Sequence, residues 1–477
     1  MTNLGTTFKE ALEAMDKDKI LARHVVMVDA DGRIVRPELH RRFTLFRGYE
    51  CLEDPDAWVK SILGQAEEYC LEDPDHREVV VFAHGGLNTR KGALRRALEL
   101  RPRMLADGKY PIFLNWHSSL ISSYLASLFY VWQGRNNRYT TGLQKLVRRW
   151  ILSWCVLAAD FGRGLLRLPV VFFAQIGTSM GFFVDEPSKD AGKARKWFNQ
   201  FFDNESMRAW EALARLKKGE NMPRPGKDRR TSWEKFRRLF SYFLTLLIKV
   251  PSAVFIDGFG HSAWEVMLRR TKTAFRQDPG SALKCGRTDG GMAVFFKHLE
   301  EPSHELPITC IGHSMGTILL NQMLRGWPHL RLKNVVYMAA ACTVRDAQGA
   351  MVSFLHDEHN KDCKTIFHNL VLHRKAEAGD WWGFRWFDPP IRGSLLVWID
   401  NFLSNPHTPF DRTAGRFDNL LLTWNDIHEL AAEKIRFRCF DAGDPARKDG
   451  QPQKHGDFTK RVFWNEEFWK PNKAPAE

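Results

Sequence analysis

Short apolar runs of strand length recur along the chain, each bounded by turn-forming residues. Val79-Val80-Val81-Phe82-Ala83 is apolar at every position, which predicts a strand buried on both faces, as in a parallel sheet. Pro111 to Trp116, Ile308 to Ile311, Lys333 to Ala341, Thr365 to Leu372 and Ile435 to Phe440 also read as strands. Apolar positions at helical spacing lie between them. Leu94, Ala97 and Leu98 share one face of a helix that starts near Thr89, and a second helical run spans Thr317 to Leu324. Nearer the N-terminus, His24 to Asp29 and Arg33 to Val35 flank a turn at Asp31-Gly32, followed by a strand at Arg42 to Phe46 and a helix near Trp58 to Tyr69. The alternation predicts the α/β class, a mostly parallel sheet flanked by helices.

Gly312-His313-Ser314-Met315-Gly316 falls between the Ile308 strand and the helix that follows it. A serine on such a sharp strand-to-helix turn adopts a strained backbone, and flanking glycines lack the Cβ atoms that would clash there. The following helix aims its N-terminal amides and dipole at the place where negative charge develops on a tetrahedral intermediate. Ser314 is therefore the candidate nucleophile. Upstream, the Val79 strand runs directly into His84-Gly85-Gly86-Leu87-Asn88, whose small residues let a backbone N–H approach a substrate carbonyl. Gly86 and Met315 are the expected amide donors, and His84 and His313 the expected supports of the two turns.

In this order the segments resemble the α/β-hydrolase superfamily, in particular its serine esterases and lipases. The likeness covers residues 79 to 116 and about 288 to 465. It implies a triad in the chain order serine, acid, histidine, with the later members at the ends of later strands. Two carboxylates follow the Thr365 strand. Glu377 sits where the family's acid falls, and Asp380 comes later, beside Trp381 and Trp382. Asp346, after the Lys333 strand, ranks third and reads as an exposed loop residue. His455 follows the last strand beyond a polar stretch, Asp441 to Lys454, and is the expected general acid and base; His428, on a helix before that strand, is a poor candidate. The carboxylate would hold the imidazole in one tautomer and stabilise the imidazolium. The scheme calls for no cofactor. Metal-ligand motifs, a P-loop and a G-x-G-x-x-G string are all missing from the sequence.

The resemblance leaves residues 118–287 unaccounted for. They read as a mainly helical lid or cap inserted into a catalytic domain made of 1–117 and 288–477. Ile112 to Gly134 and Leu168 to Val184 contain no Asp, Glu, Lys or Arg, and Leu239 to Ile256 carries only Lys249. Basic runs separate these blocks: Arg135, Arg138, Lys145, Arg148 and Arg149, then Arg215 to Arg238 with ten basic residues. That alternation suits a lid resting on an anionic membrane surface. Leu168 to Val184 is shorter than the ~20 residues of a spanning helix, so contact at the interface is expected rather than a span.

The formal charge of +14 and pI near 9.4 favour polyanionic partners, and the apolar blocks direct that preference to lipid, because no nucleic-acid-binding module is recognisable. Eight dispersed cysteines, among them Cys310 and Cys439 in predicted strands, read as reduced core residues. The first residues lead into a charged helix with no apolar signal core, which predicts an intracellular location, in the cytoplasm or at the cytoplasmic face of a membrane. Trp381 to Phe387 is a candidate acyl-binding wall, and Arg392 to Asp400 has no role assignable from sequence. The expected activity is hydrolysis of lipid or acyl esters. A thioesterase or acyltransferase would use the same site, and a catalytically silent scaffold at a membrane is the reading of a different class.

Overall fold

The computed structural model describes residues 16–39, 52–129, 131–132, 135–136, 143–170, 172, 223, 255–277, 289–301, 306–360, 363–380, 393–443 and 451–470. The predicted strand at Arg42 to Phe46, the aromatic run Trp381 to Phe387, the basic run Arg215 to Arg238 except Pro223, and most of Leu168 to Val184 and Leu239 to Ile256 lie outside these residues.

Seven strands form one parallel sheet: β1 Val25–Met27, β2 Glu78–Ala83, β3 Lys109–Asn115, β4 Ile308–His313, β5 Leu332–Met338, β6 Ile366–Val371 and β7 Ile435–Cys439. Their order is β1-β3-β2-β4-β5-β6-β7. An α/β fold follows from this sheet and the helices between its strands. The described residues fall into two compact units, Met1–Ser119 with Met267–Val336 and Ala350–Phe367, and Leu120–Val266 with Tyr337–Gly349 and His368–Glu477. This division is drawn differently from the sequence-based one, although both change unit near residue 118.

In the first unit, β2 lies between β3 and β4, and every residue of β2 is buried. A strand covered on both faces gains nothing from polar alternation, which is why the valine run is continuous. The register sets Ala83 opposite both Leu114 and Gly312, so β2 and β4 end level with each other. The helix Pro55–Leu71 starts where Asp54 accepts a hydrogen bond from the Ala57 N–H at 2.9 Å and Pro55 occupies the first turn. The helix Arg90–Ala106 starts likewise at Thr89, whose Oγ1 accepts from Gly92 N–H at 3.1 Å. The expected turn at Asp31-Gly32 forms, with Val28 and Ile34 bridged in antiparallel sense. The strand before it is shorter than expected, because residues 16–24 are helical up to His24. Buried His24 donates through Nδ1 to the Pro111 carbonyl at 2.9 Å, and burial lowers its pKa to about 4. The Cys70 and Cys310 thiols are buried and pushed up to about 11 and 12, consistent with unreactive core thiols.

In the second unit, the predicted strand to Ala341 stops at Met338, since Ala339 adopts a left-handed φ of +45°. The part of this unit that precedes residue 267 is mainly helical: Leu120–Phe129, Leu143–Leu166 and the helix at 255–274. Polar contacts on buried faces join them. Ser153 Oγ donates to Leu128 O at 2.8 Å, Ser262 Oγ to Asp160 Oδ1 at 2.7 Å, and Arg167 Nη1 to buried Asp257 Oδ1 at 2.7 Å. The opposite side of Leu143–Leu166 is apolar and exposed through Val147, Trp150, Ile151, Trp154, Phe161 and Leu165, which recur at helical spacing. Among the described residues no helix is long and apolar enough to cross a membrane.

Candidate active site

Ser314 has a φ of +52°, a left-handed conformation that a non-glycine residue adopts at a cost of order 1–3 kcal/mol. The turn is held from both sides. Thr317 donates to the Ser314 carbonyl through its N–H at 3.1 Å and its Oγ1 at 2.7 Å, which seats the serine directly before the helix Gly316–Gly326. A Cβ at Gly316 would lie 2.1 Å from Ala83 O, so the turn can close onto the end of β2 only with glycine there. The Ser314 side chain is buried, and its Oγ has no hydrogen-bond partner among the described residues. An unpaired buried hydroxyl costs about 1–3 kcal/mol, so the arrangement is not one that stability alone selects.

The His84-Gly85-Gly86 loop lies against this turn. A Cβ at Gly85 would sit 2.8 Å from His313 Nδ1 and 2.9 Å from Ser314 Cβ, and one at Gly86 would sit 2.6 Å from Met315 Sδ. Three groups converge on the Gly85 carbonyl: His84 Nδ1 at 2.7 Å, Asn88 Nδ2 at 3.0 Å and Ser118 Oγ at 3.4 Å. Because a peptide is planar and trans, fixing this carbonyl turns the Gly86 N–H to the opposite side of the chain. Leu87 follows at φ +66° with its N–H donated to Ser118 O at 2.9 Å. Burial lowers the His84 pKa, Nδ1 donates to Gly85 O, and Nε2 stands 3.2 Å from Asn115 Oδ1 and 3.3 Å from the Trp116 backbone nitrogen. His84 is thus the structural support the sequence suggested. Ser314, Met315 and Gly86 are brought together within the first unit.

Glu377, Asp380 and His455 belong to the second unit. The predicted loop after β6 is instead a short helix, Arg374–Gly379, capped by His373 Nδ1 accepting from Lys375 N–H at 3.1 Å. Glu377 is buried in it and hydrogen-bonded to Ser394 Oγ. Burial drives its pKa up to about 8, against the stabilising Ser394 hydrogen bond and Arg416 charge, so the carboxyl is largely protonated at neutral pH. Asp380, one residue past the helix, directs Oδ2 to the backbone N–H of His455 at 2.8 Å. His455 opens a 3-10 helix, His455–Lys460, rather than standing in an open loop, and its side chain is buried. The chain before it is tied to the end of β7. Gln451 Oε1 accepts from Asp441 N–H and Gln453 Oε1 from Gly443 N–H, both at 2.7 Å, and Gln453 Nε2 donates to Asp441 O at 2.9 Å.

Asp346 lies in the first turn of the helix Val344–His356, not in a loop, with its N–H donated to Thr343 Oγ1. The segment near Asp400 acquires a role that the sequence left open. Ser394 caps the helix Leu395–Trp398 while donating to Glu377, and Asp400 accepts from Thr413, Arg416 and Asn419 in a buried network. Serine and aspartate in an otherwise apolar run were the only trace of it in the sequence.

No protein-family model, no curated protein and no solved structure matches the chain.

Proposed function

We propose that the chain is a serine hydrolase of the α/β-hydrolase type that cleaves carboxylic esters, lipid or acyl esters above all. The observation that carries this reading is the left-handed Ser314 between a parallel strand and a helix, faced at van der Waals distance by a glycine loop. In the proposed reaction Ser314 Oγ forms a bond to the ester carbonyl carbon as His455 takes its proton. The oxyanion is stabilised by the Gly86 and Met315 amides. Collapse breaks the ester C–O bond, the leaving alcohol takes the proton from His455, and water then hydrolyses the acyl-enzyme by the same exchange.

Of the two neighbouring carboxylates, Asp380 fits the orienting role better than Glu377. An orienter must be ionised, and Glu377 is held protonated by burial and committed to Ser394. Asp380 already accepts the backbone N–H of His455 at 2.8 Å, which places its carboxylate beside that residue.

Lipid as substrate and an anionic membrane surface as partner draw support from the exposed stripe of Leu143–Leu166, where Trp150, Trp154 and Phe161 stand on a strongly basic chain. In this reading residues 118–287 are a lid at the cytoplasmic face of a membrane. Flotation with anionic vesicles at low salt is expected for the wild type and its loss for Trp150→Ala/Trp154→Ala; equal flotation of both would remove the stripe from the account. A silent scaffold is favoured by the 1% exposure of Ser314, and a thioesterase or acyltransferase would share the chemistry. Turnover of p-nitrophenyl esters of increasing acyl length separates the hydrolase from the scaffold. The hydrolase reading predicts activity that rises with chain length and falls at least about 10⁴-fold in Ser314→Ala, while serine-independent or absent turnover across the series contradicts it.

A further inference from the structure

Beyond the serine turn in the chain, the first unit gathers three side chains of the types that ligate metals. His329, in the turn that precedes β5, meets Asp357 and His359, which follow the helix Val344–His356. One potential ligand atom from each of the three lies within 4.8 Å of the others. His359 Nδ1 is 2.9 Å from Asp357 Oδ1, His329 Nε2 is 3.8 Å from the same oxygen, and the two imidazole rings are centred 4.0 Å apart. In a tetrahedral site with bonds near 2.0–2.1 Å, ligand atoms stand about 3.3 Å apart. The two observed separations bracket that value.

The scaffold beneath these side chains is fixed. Buried Asn360 donates through Nδ2 to Pro328 O and, at 3.0 Å, to Phe354 O, so the residue beside His359 bolts the turn carrying His329 to the segment carrying Asp357. The His329 N–H is itself donated to Glu300 Oε1 at 2.9 Å, and the His359 N–H to Asp357 Oδ1 at 3.1 Å. Both backbones are therefore held while the imidazoles remain exposed, His329 by half and His359 by 68%. A comparison within the same unit separates this cluster from an ordinary surface pair: His76 Nδ1 also meets Asp73 Oδ1 at 2.9 Å, yet no third ligand joins them among the described residues.

We propose that His329, Asp357 and His359 form a binding site for a divalent ion of the zinc type. Two imidazoles and one carboxylate suit Zn²⁺ and its close neighbours over Mg²⁺ or Ca²⁺, and three protein ligands leave a coordination position for water. The ion would cross-link the turn before β5 to the end of the helix before β6.

The test uses the full chain, stripped with chelator and titrated with Zn²⁺ by calorimetry and with Co²⁺ by visible absorption. One equivalent is expected to bind. Affinity should fall at least about 10-fold in His329→Ala and again in His359→Ala, and hold in His76→Ala. Zn²⁺ should also raise the melting temperature of the wild type but not of the double variant, which reports on the site without any assay of activity. Failure of the wild type to bind, or unchanged affinity in a double variant that keeps its cooperative melt, would overturn the proposal.

Discussion

The serine turn and the carboxylate cluster both bury polar side chains beyond the ends of parallel strands, and they are specified in opposite ways. The turn after β4 is encoded locally. The six consecutive residues Gly312 to Thr317 dictate it, because a left-handed serine, a glycine that must clear Ala83 O and a threonine that locks the carbonyl are all parts of one short stretch. The cluster after β6 is encoded by distance. Glu377 and Asp380 differ only in what surrounds them, and those surroundings come from Ser394, Arg416 and His455. Backbone strain can be written in a motif, whereas the ionisation state of a buried acid is settled by tertiary partners.

The strongest way to break this comparison is to neutralise each acid in turn. Asp380→Asn should lower kcat/KM for an ester by about 10⁴-fold, the size expected when an orienting carboxylate is lost, and Glu377→Gln by less than about 10-fold. The reverse ranking would return the role to Glu377 and remove the argument from burial. A smaller effect is expected at the glycine loop. Gly85→Ala forces a Cβ against His313 and Ser314 and should cost about 10²-fold in kcat, while at Gly86 the new atom meets the flexible end of Met315, so Gly86→Ala should cost less. Equal activity of Gly85→Ala and wild type would contradict the close approach.

The smallest effect is on stability. The Glu377 pKa is raised from an ordinary 4.5 to about 8, so between these values the folded chain binds more protons than the unfolded one. Its contribution is fully present below pH 4.5 and is lost as pH rises through 8, with a slope of at most about 1.4 kcal/mol per pH unit. Glu377→Gln cannot titrate. Its melting temperature relative to wild type should therefore climb between pH 5 and pH 9, and a constant difference would show that Glu377 is ionised in the folded chain.

Much of the sheet is legible in the sequence because parallel strands are continuous apolar runs, as in Val79 to Ala83. The errors have local causes. Residues 16–24 remain helical to His24, and Ala339 turns left-handed after Met338, so two strands are shorter than their apolar runs. The helix Arg374–Gly379 was hidden because its cap is a histidine ring, an unusual choice beside the serine, threonine, aspartate and asparagine that normally mark a helix start. The apolar stripe of Leu143–Leu166 was masked by Arg148 and Arg149, which draw attention to charge before periodicity. His329 offers no hint of its neighbours, since Asp357 and His359 come to it only through the fold.

The central claim is that Ser314 is an activated nucleophile, and reaction with a fluorophosphonate probe followed by peptide mapping tests it most directly. The account predicts a single adduct on Ser314 that forms in wild type and is lost in His455→Ala. An unlabelled Ser314, or labelling that proceeds at the same rate without His455, would contradict it.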